Sequence, residues 1–280
     1  MERVYNNLGT YPWILPLILF VVLMVLGATA HPLWIDEAET AFFAKMIVKT
    51  GLPMGFDGVN MSAANEATVL NKELVNHVTP PFQYYTVAAS FWLLGQSAFT
   101  ARLPFILFGI ASFILLYYVC LKLTGKRSIA LITVIIYSLC VPLILFSHQA
   151  RYYSAVIFSG ILLFYSCLVL IEKPRRVWPY FTFVLAGLIY VYSHYLTFLF
   201  FYPALYFSVL LQLVNKREWS QVRTFTIKYV LLSLVIVVLF LPWYYSFKPS
   251  LNQSAMTVFS FDNFYYIMPF SILEVLAYAH

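Results

Sequence analysis

The chain has 280 residues, of which 62% are hydrophobic, 19% aromatic and only 10% charged, and its mean hydropathy is +0.82. Soluble globular domains are roughly 45 to 50% apolar, so this composition excludes one and describes an all-α polytopic membrane protein. The net charge of +6 comes from basic residues scattered between apolar runs, with no basic stripe of the kind a nucleic-acid partner requires, and Cys120, Cys140 and Cys167 lie inside apolar runs without disulfide or metal spacing.

The first apolar stretch, Tyr11 to Ala30 with its span at about 11–29, ends in Ala28-Thr29-Ala30, which has the form of a signal cleavage site. Only Arg3 precedes it, balanced by Glu2, and the run approaches the roughly 20 residues that span a bilayer. It is therefore read as an uncleaved first span. Three carboxylates follow at once, in Leu33-Trp34-Ile35-Asp36-Glu37-Ala38-Glu39-Thr40. Each would cost about 2.5 to 3.5 kcal/mol in hydrocarbon, so the cluster belongs at the membrane boundary or in a polar cavity. Asp36 and Glu39 have capping-box spacing, and Ala38, Phe42 and Met46 recur on one helical face until Gly51 and Pro53 end the helix. Two roles stand for Asp36: an N-cap, or a general base toward an incoming hydroxyl.

A second surface helix is expected over 63–75, capped by Ser62 after the Asp57-Gly58 turn, and His77-Val78-Thr79-Pro80-Pro81 leads into a third at 81–97. That third segment is apolar and nearly long enough to cross, but it opens on two prolines and carries Gln83 and Gln96. Further spans are expected at 103–121, 128–147, 154–171, 178–193, 196–214 and 225–246, giving about seven, with an incomplete eighth at 264–280.

Ten of the 17 basic residues fall in three short loops: Lys122, Lys126 and Arg127; Lys173, Arg175 and Arg176; Lys216, Arg217, Arg223 and Lys228. The positive-inside rule places these loops in the cytoplasm. Helix parity then puts 30–102 outside if 81–97 is a juxtamembrane or re-entrant helix, the reading adopted; a spanning 81–97 is the alternative. On that outer face lies Ser147-His148-Gln149-Ala150-Arg151-Tyr152-Tyr153. Arg151 precedes a helix whose N-terminus is positive and is read either as a phosphate site or as an interfacial anchor with the tyrosines. Arg102 is a second external cation, as ligand or as snorkelling side chain. His194 at a tight hairpin, with His77 and His148, would share the same face, where a polar or metal site is an open alternative to simple solvation.

There is no Gly-rich phosphate loop, zinc pattern or internal repeat. The order Trp-x-Asp-Glu-Ala-x-Thr, Pro-Pro-Phe-x-Tyr-Tyr, Ala-Arg-Leu-Pro, His-Gln-Ala-Arg-Tyr-Tyr and Tyr-Ser-His-Tyr, over residues 30–245, resembles bacterial relatives of the protein O-mannosyltransferases and the lipid A aminoarabinose transferases. The resemblance implies a GT-C fold and an inner-membrane glycosyltransferase that takes a sugar from a polyprenyl-phosphate donor to a lipid, glycan or protein acceptor on the extracytoplasmic side. It also implies Asp36 as the catalytic residue with Glu37 beside it; Arg151, Arg102, Tyr152, Tyr153, His194, His77 and His148 are the expected substrate contacts from their place on the outer face. No cofactor is required by the pattern, and a divalent metal is left open. Such proteins continue through more spans, so a chain ending at His280 is expected to be truncated. A transporter or flippase of lipid-linked sugars is the alternative, although the span interiors hold almost no ionisable residue and no inverted repeat. A non-catalytic subunit is the third reading.

Overall fold

The computed structural model describes residues 12–62 and 69–250, which fold as ten helices: α1 Ile14–Ala30, α2 Ile35–Thr50, α3 Phe82–Leu94, α4 Ala98–Thr124, α5 Arg127–Leu139, α6 Val141–Ser147, α7 Tyr153–Glu172, α8 Trp178–Ser193, α9 Tyr195–Asn215 and α10 Trp219–Ser250. Between α2 and α3, short antiparallel bridges (Met54 with Val75, Phe56 with Met61, Leu70 with Asn76) replace regular structure. Four helices, α4, α7, α9 and α10, are long and apolar enough to cross a membrane, and the bent pair α5–α6 makes a fifth if it is one span. The apolar helices α1 and α8 are shorter, at 17 and 16 residues. The chain is thus an all-α polytopic membrane protein, and its outward faces are aliphatic: Val230, Leu231, Leu234, Val237 and Val238 of α10 are all exposed.

Three buried clusters hold the bundle. One joins α7, α8, α9 and α10 around Leu163, Phe183, Leu205 and Tyr229. A second packs α1 on α4 and α5 through Phe20, Met24, Phe113 and Tyr137. The third is the layer under the acidic run: Phe43, Ala44 and Ile47 of α2, Tyr84, Val87 and Phe91 of α3, Ala101 and Phe105 of α4, and Ala150.

Local chemistry explains where the elements depart from expectation. The run 128–147 is not one straight helix but two, bent by 68° at Cys140. Pro142 has no N–H to give the carbonyl of Ser138, so the ladder cannot pass it. The segment 81–97 forms the 13-residue α3, which rises only about 20 Å and cannot alone cross a core of about 30 Å. Ser97 then caps α4, its hydroxyl accepting from the Thr100 N–H at 3.1 Å. The helix expected over 63–75 does not form across 69–75, where Leu74 takes a positive φ of 60° and the Asn71 side chain accepts from the Val75 N–H; 63–68, like 264–280, lies outside the described residues. The buried stripe of α2 is Glu37, Thr40, Phe43, Ala44, Met46 and Ile47, whereas Ala38 is exposed.

Helices meet over several glycines, and two of them, Gly109 and Gly160, differ in how much room they leave. A Cβ on Gly109 of α4 would lie 3.0 Å from Ser147 Cβ and 3.2 Å from Met24 Sδ, so α1, α4 and α6 pack there without slack. At Gly160 of α7 the nearest atom would be 3.5 Å away, an ordinary contact. Gly109→Val should therefore destabilise the detergent-solubilised protein by about 1 to 3 kcal/mol through overpacking. Gly160→Ala should be neutral or slightly stabilising, as helical glycine is otherwise inferior to alanine. Thermal unfolding of the two variants checks the contrast.

Candidate active site

The acidic run opens α2. Trp34 is extended and precedes the first turn, and Glu37, at the third helical position, accepts from the Trp34 N–H at 3.3 Å. The cap carboxylate is thus Glu37 and not Asp36, which corrects the expected Asp36–Glu39 capping box; Gly51, at φ 82°, ends the helix as expected. Glu37 points inward and is 1% exposed. Its Oε1 accepts from Arg102 Nε at 2.8 Å and from the Ala150 N–H at 2.7 Å, and its Oε2 accepts from Arg102 Nη2 at 2.5 Å.

Arg102, 4% exposed in the first turns of α4, completes a clamp. Beyond its two bonds to Glu37, Nη1 donates to the carbonyls of Ala28 and His31 at 2.7 and 2.8 Å, and Nη2 to that of Pro32 at 3.0 Å. All five guanidinium N–H groups are spent, as are the four acceptor directions of Glu37. The arginine also satisfies a carbonyl in the last turn of α1 that the helix itself cannot reach. One ion pair therefore ties the end of α1, the start of α2, the start of α4 and the elbow between α6 and α7. Burial alone would raise the Glu37 pKa, but the bonds from Arg102 and Ala150, the charge of Arg102 and the bond from Trp34 together hold it below the ordinary range.

The clamp sets the register of its neighbours. Glu37 meets Ala150, so Asp36, one residue before, meets Arg151, one residue after: Asp36 Oδ2 lies 3.3 Å from Arg151 Nη2. This pair is more open than the clamp, with side-chain exposures of 36% for Asp36 and 15% for Arg151. The Arg151 guanidinium lies 5.5 Å from the centre of the Tyr152 ring, which packs at a tilt against His194 at 4.8 Å and against Tyr153 at 4.6 Å. His194 caps α9, its Nδ1 accepting from the Thr197 N–H at 3.2 Å. Burial and the charge of Arg151 lower the His194 pKa, which favours the neutral ring.

The fold thus brings Asp36, Glu37, Arg102, Arg151, Tyr152, Tyr153 and His194 together at one end of the bundle. His148 lies behind them, its ring against Gly27 of α1 and its Nδ1 on the Ile144 carbonyl at 2.9 Å, and burial lowers its pKa. His77 is tied to its own loop by the Val75 and Val69 carbonyls. Among the described residues no three His, Cys, Asp or Glu side chains gather as a metal-binding group, so the three histidines do not make one.

Glu39 was assigned to helix structure alone, yet it sits one turn beyond Asp36, half-buried, within the field of both Arg151 and Asp36, and burial raises its pKa. Its i, i+3 spacing from Asp36 was the available signal. The backbone N–H of Ala150 carries no signature in sequence.

Glu37→Gln leaves Arg102 buried without its counter-charge and should cost about 3 to 5 kcal/mol. Asp36→Asn, at the open pair, should cost about 1 kcal/mol or less. Because the folded pKa of Glu37 is lowered, its ionic contribution is complete above the unfolded value of about 4.3 and is lost as pH falls through the folded value. Melting of wild type and Glu37→Gln between pH 7 and pH 3 should converge at the acid end; equal melting of Glu37→Gln and Asp36→Asn at pH 7 would remove the clamp from its structural role.

A family model described as dolichyl-phosphate-mannose-protein mannosyltransferase matches residues 78–245. The matched stretch carries Arg102, Ala150, Arg151, Tyr152 and His194, whereas the carboxylates Asp36, Glu37 and Glu39 of α2 lie outside it. Comparison with curated proteins and with solved structures yields no match. With this match over more than half its length, the chain belongs to the dolichyl-phosphate-mannose-protein mannosyltransferase family and is a membrane glycosyltransferase of the mannosyltransferase type.

Proposed function

We propose that this chain moves a sugar from a polyprenyl-phosphate donor to an acceptor hydroxyl at the extracytoplasmic face, with inversion at the anomeric carbon. The observation that carries the reading is the Asp36–Arg151 pair, held at 3.3 Å at one end of the bundle by the spent Glu37–Arg102 clamp. A base and an anion-binding cation stand side by side, and both remain partly open to a ligand.

In this mechanism the donor phosphate takes over the Arg151 guanidinium, which offers planar, paired donors to phosphate, and Asp36 is released toward the acceptor. The acceptor O–H bond breaks with its proton passing to Asp36, and the new C1–O bond forms from the face opposite the phosphate. The C1–O bond to phosphate breaks, and its electron pair leaves on polyprenyl phosphate. The leaving group gains one negative charge as Asp36 loses one, and Arg151 meets that charge where it develops. Phosphate leaves without protonation, so the second carboxylate that glycoside hydrolysis requires is not needed. Arg102 has no N–H left for this work, and Glu37 no lone pair. Both are positioning residues here.

The charge layout supports the sidedness. α4 runs from Arg102 at the site end to Lys122, which pairs with Glu172 at the far end of α7. Lys228 reaches the Pro174 carbonyl and the Tyr180 ring at that same far end. The basic loops thus cluster opposite the candidate site, which the positive-inside rule places away from the cytoplasm.

Asp36→Asn should lower transfer by about 10²-fold or more while donor binding persists. Arg151→Ala should raise the donor KM about tenfold or more, since it removes the cation meeting the phosphate. Turnover of a polyprenyl-phosphate sugar by purified variants checks both. Full activity in Asp36→Asn would remove Asp36 as the base, and an unchanged donor KM in Arg151→Ala would return Arg151 to an anchoring role.

A further inference from the structure

Several buried polar atoms near the candidate site have no hydrogen-bond partner; apart from Ser147 and Gln149 of the α6–α7 elbow, three of the side chains that carry them are Gln83, Ser154 and Ser193, and the mechanism above uses none of these. Gln83, in the first turn of α3, is 1% exposed, and neither its Oε1 nor its Nε2 is satisfied. The hydroxyls of Ser154 and Ser193, both buried, are likewise unpartnered. Native interiors satisfy nearly all such groups, so several orphans in one region mark a place where something else completes the bonds.

The helix ends that carry them are neighbours. Ser154 follows Tyr152 and Tyr153 in the first turn of α7, and Ser193 precedes His194 at the end of α8. The Tyr152 and His194 rings, packed at a tilt with centres 4.8 Å apart, show this for α7 and α8. Gln83 follows Phe82, whose ring packs on Phe108 of α4 at 5.8 Å, and Phe108 packs in turn on Phe158 of α7 at 5.5 Å, one turn beyond Ser154. Helix α3 also contacts α8 directly.

The chemistry of the orphans differs from that of the ionic pair. An amide and two hydroxyls are neutral and both donate and accept, which suits the hydroxyl groups of a sugar ring. A phosphate calls for cation, which Arg151 supplies with a buried Nε still unpartnered. A prenyl chain calls for neither. We propose that Gln83, together with Ser154 and Ser193, forms the subsite that reads the hydroxyls of the transferred sugar, with Gln83 as the main specificity-determining residue. The inference rests on the reading of Asp36 and Arg151 as the donor site.

The test pairs Gln83→Leu with a series of polyprenyl-phosphate mannose donors, complete or lacking one hydroxyl at C2, C3, C4 or C6. In wild type, one deoxy donor should fall in kcat/KM by on the order of tenfold to a hundredfold, since the site is left with an unpaired polar group. Gln83→Leu should lose a similar factor with the complete donor and lose nothing further with that deoxy donor. Its melting temperature should be unchanged or higher, because an apolar replacement removes an unsatisfied amide. If Gln83→Leu is not recovered folded, Ser193→Ala carries the same comparison. A variant with the same hydroxyl dependence as wild type would overturn the subsite while leaving the transferase reading intact. Wild-type protein that consumes no polyprenyl-phosphate sugar would overturn both.

Discussion

The buried bond between Glu37 and Arg102 is the constraint on which the candidate site depends. A buried ion pair is ordinarily a poor source of net stability, because two desolvated charges must recover what water gave them. Here the recovery comes from number. Arg102 makes five bonds and Glu37 four; two join the pair to each other, and the other five reach backbone groups of the end of α1 and the turn after it, the start of α2 and the α6–α7 elbow. The pair thereby acts less as a local attraction than as a register device: it fixes which residue of the α2 start faces which residue of the α6–α7 elbow. The approach of Asp36 to Arg151 follows from that register.

The arrangement also separates duties between adjacent acids. Asp36 and Glu37 differ by one methylene and one position, yet the helix turns Glu37 into the bundle and leaves Asp36 toward its rim. A carboxylate whose oxygens are all engaged cannot exchange a proton or receive a substrate, whereas one with a single ionic partner can give that partner up to a phosphate. The same division holds between Arg102 and Arg151. Reactive groups on the rim, held by satisfied groups one residue away, are what a site needs to stay ordered before its substrate arrives.

Much of this was legible in the sequence because lipid imposes so few solutions. Apolar runs had to be helices, and the ends of α4, α7, α8 and α9 lie close to where length and polarity put them. The candidate cluster was legible too, since charge is scarce in this chain and Asp36, Arg102 and Arg151 stood out for that reason. What sequence did not reveal was pairing. Nothing in the spacing distinguishes an arginine that clamps a helix end from one that waits for phosphate, and Arg102 and Arg151 were read alike. Nor could it reveal that Glu37 rather than Asp36 caps α2, because the choice depends on Arg102, 65 positions away. The 68° break at Cys140 was signalled by Pro142 just beyond it but masked by the apolar run around it.

The central claim is that the pair set by this clamp performs sugar transfer, and it is tested most directly by the fate of the donor. Purified protein in detergent, given polyprenyl-phosphate mannose labelled in the sugar together with an acceptor hydroxyl, should release polyprenyl phosphate and glycosylated acceptor in equal amounts, with the anomeric configuration inverted. Donor that is bound but recovered intact, or product that retains configuration, would contradict the account.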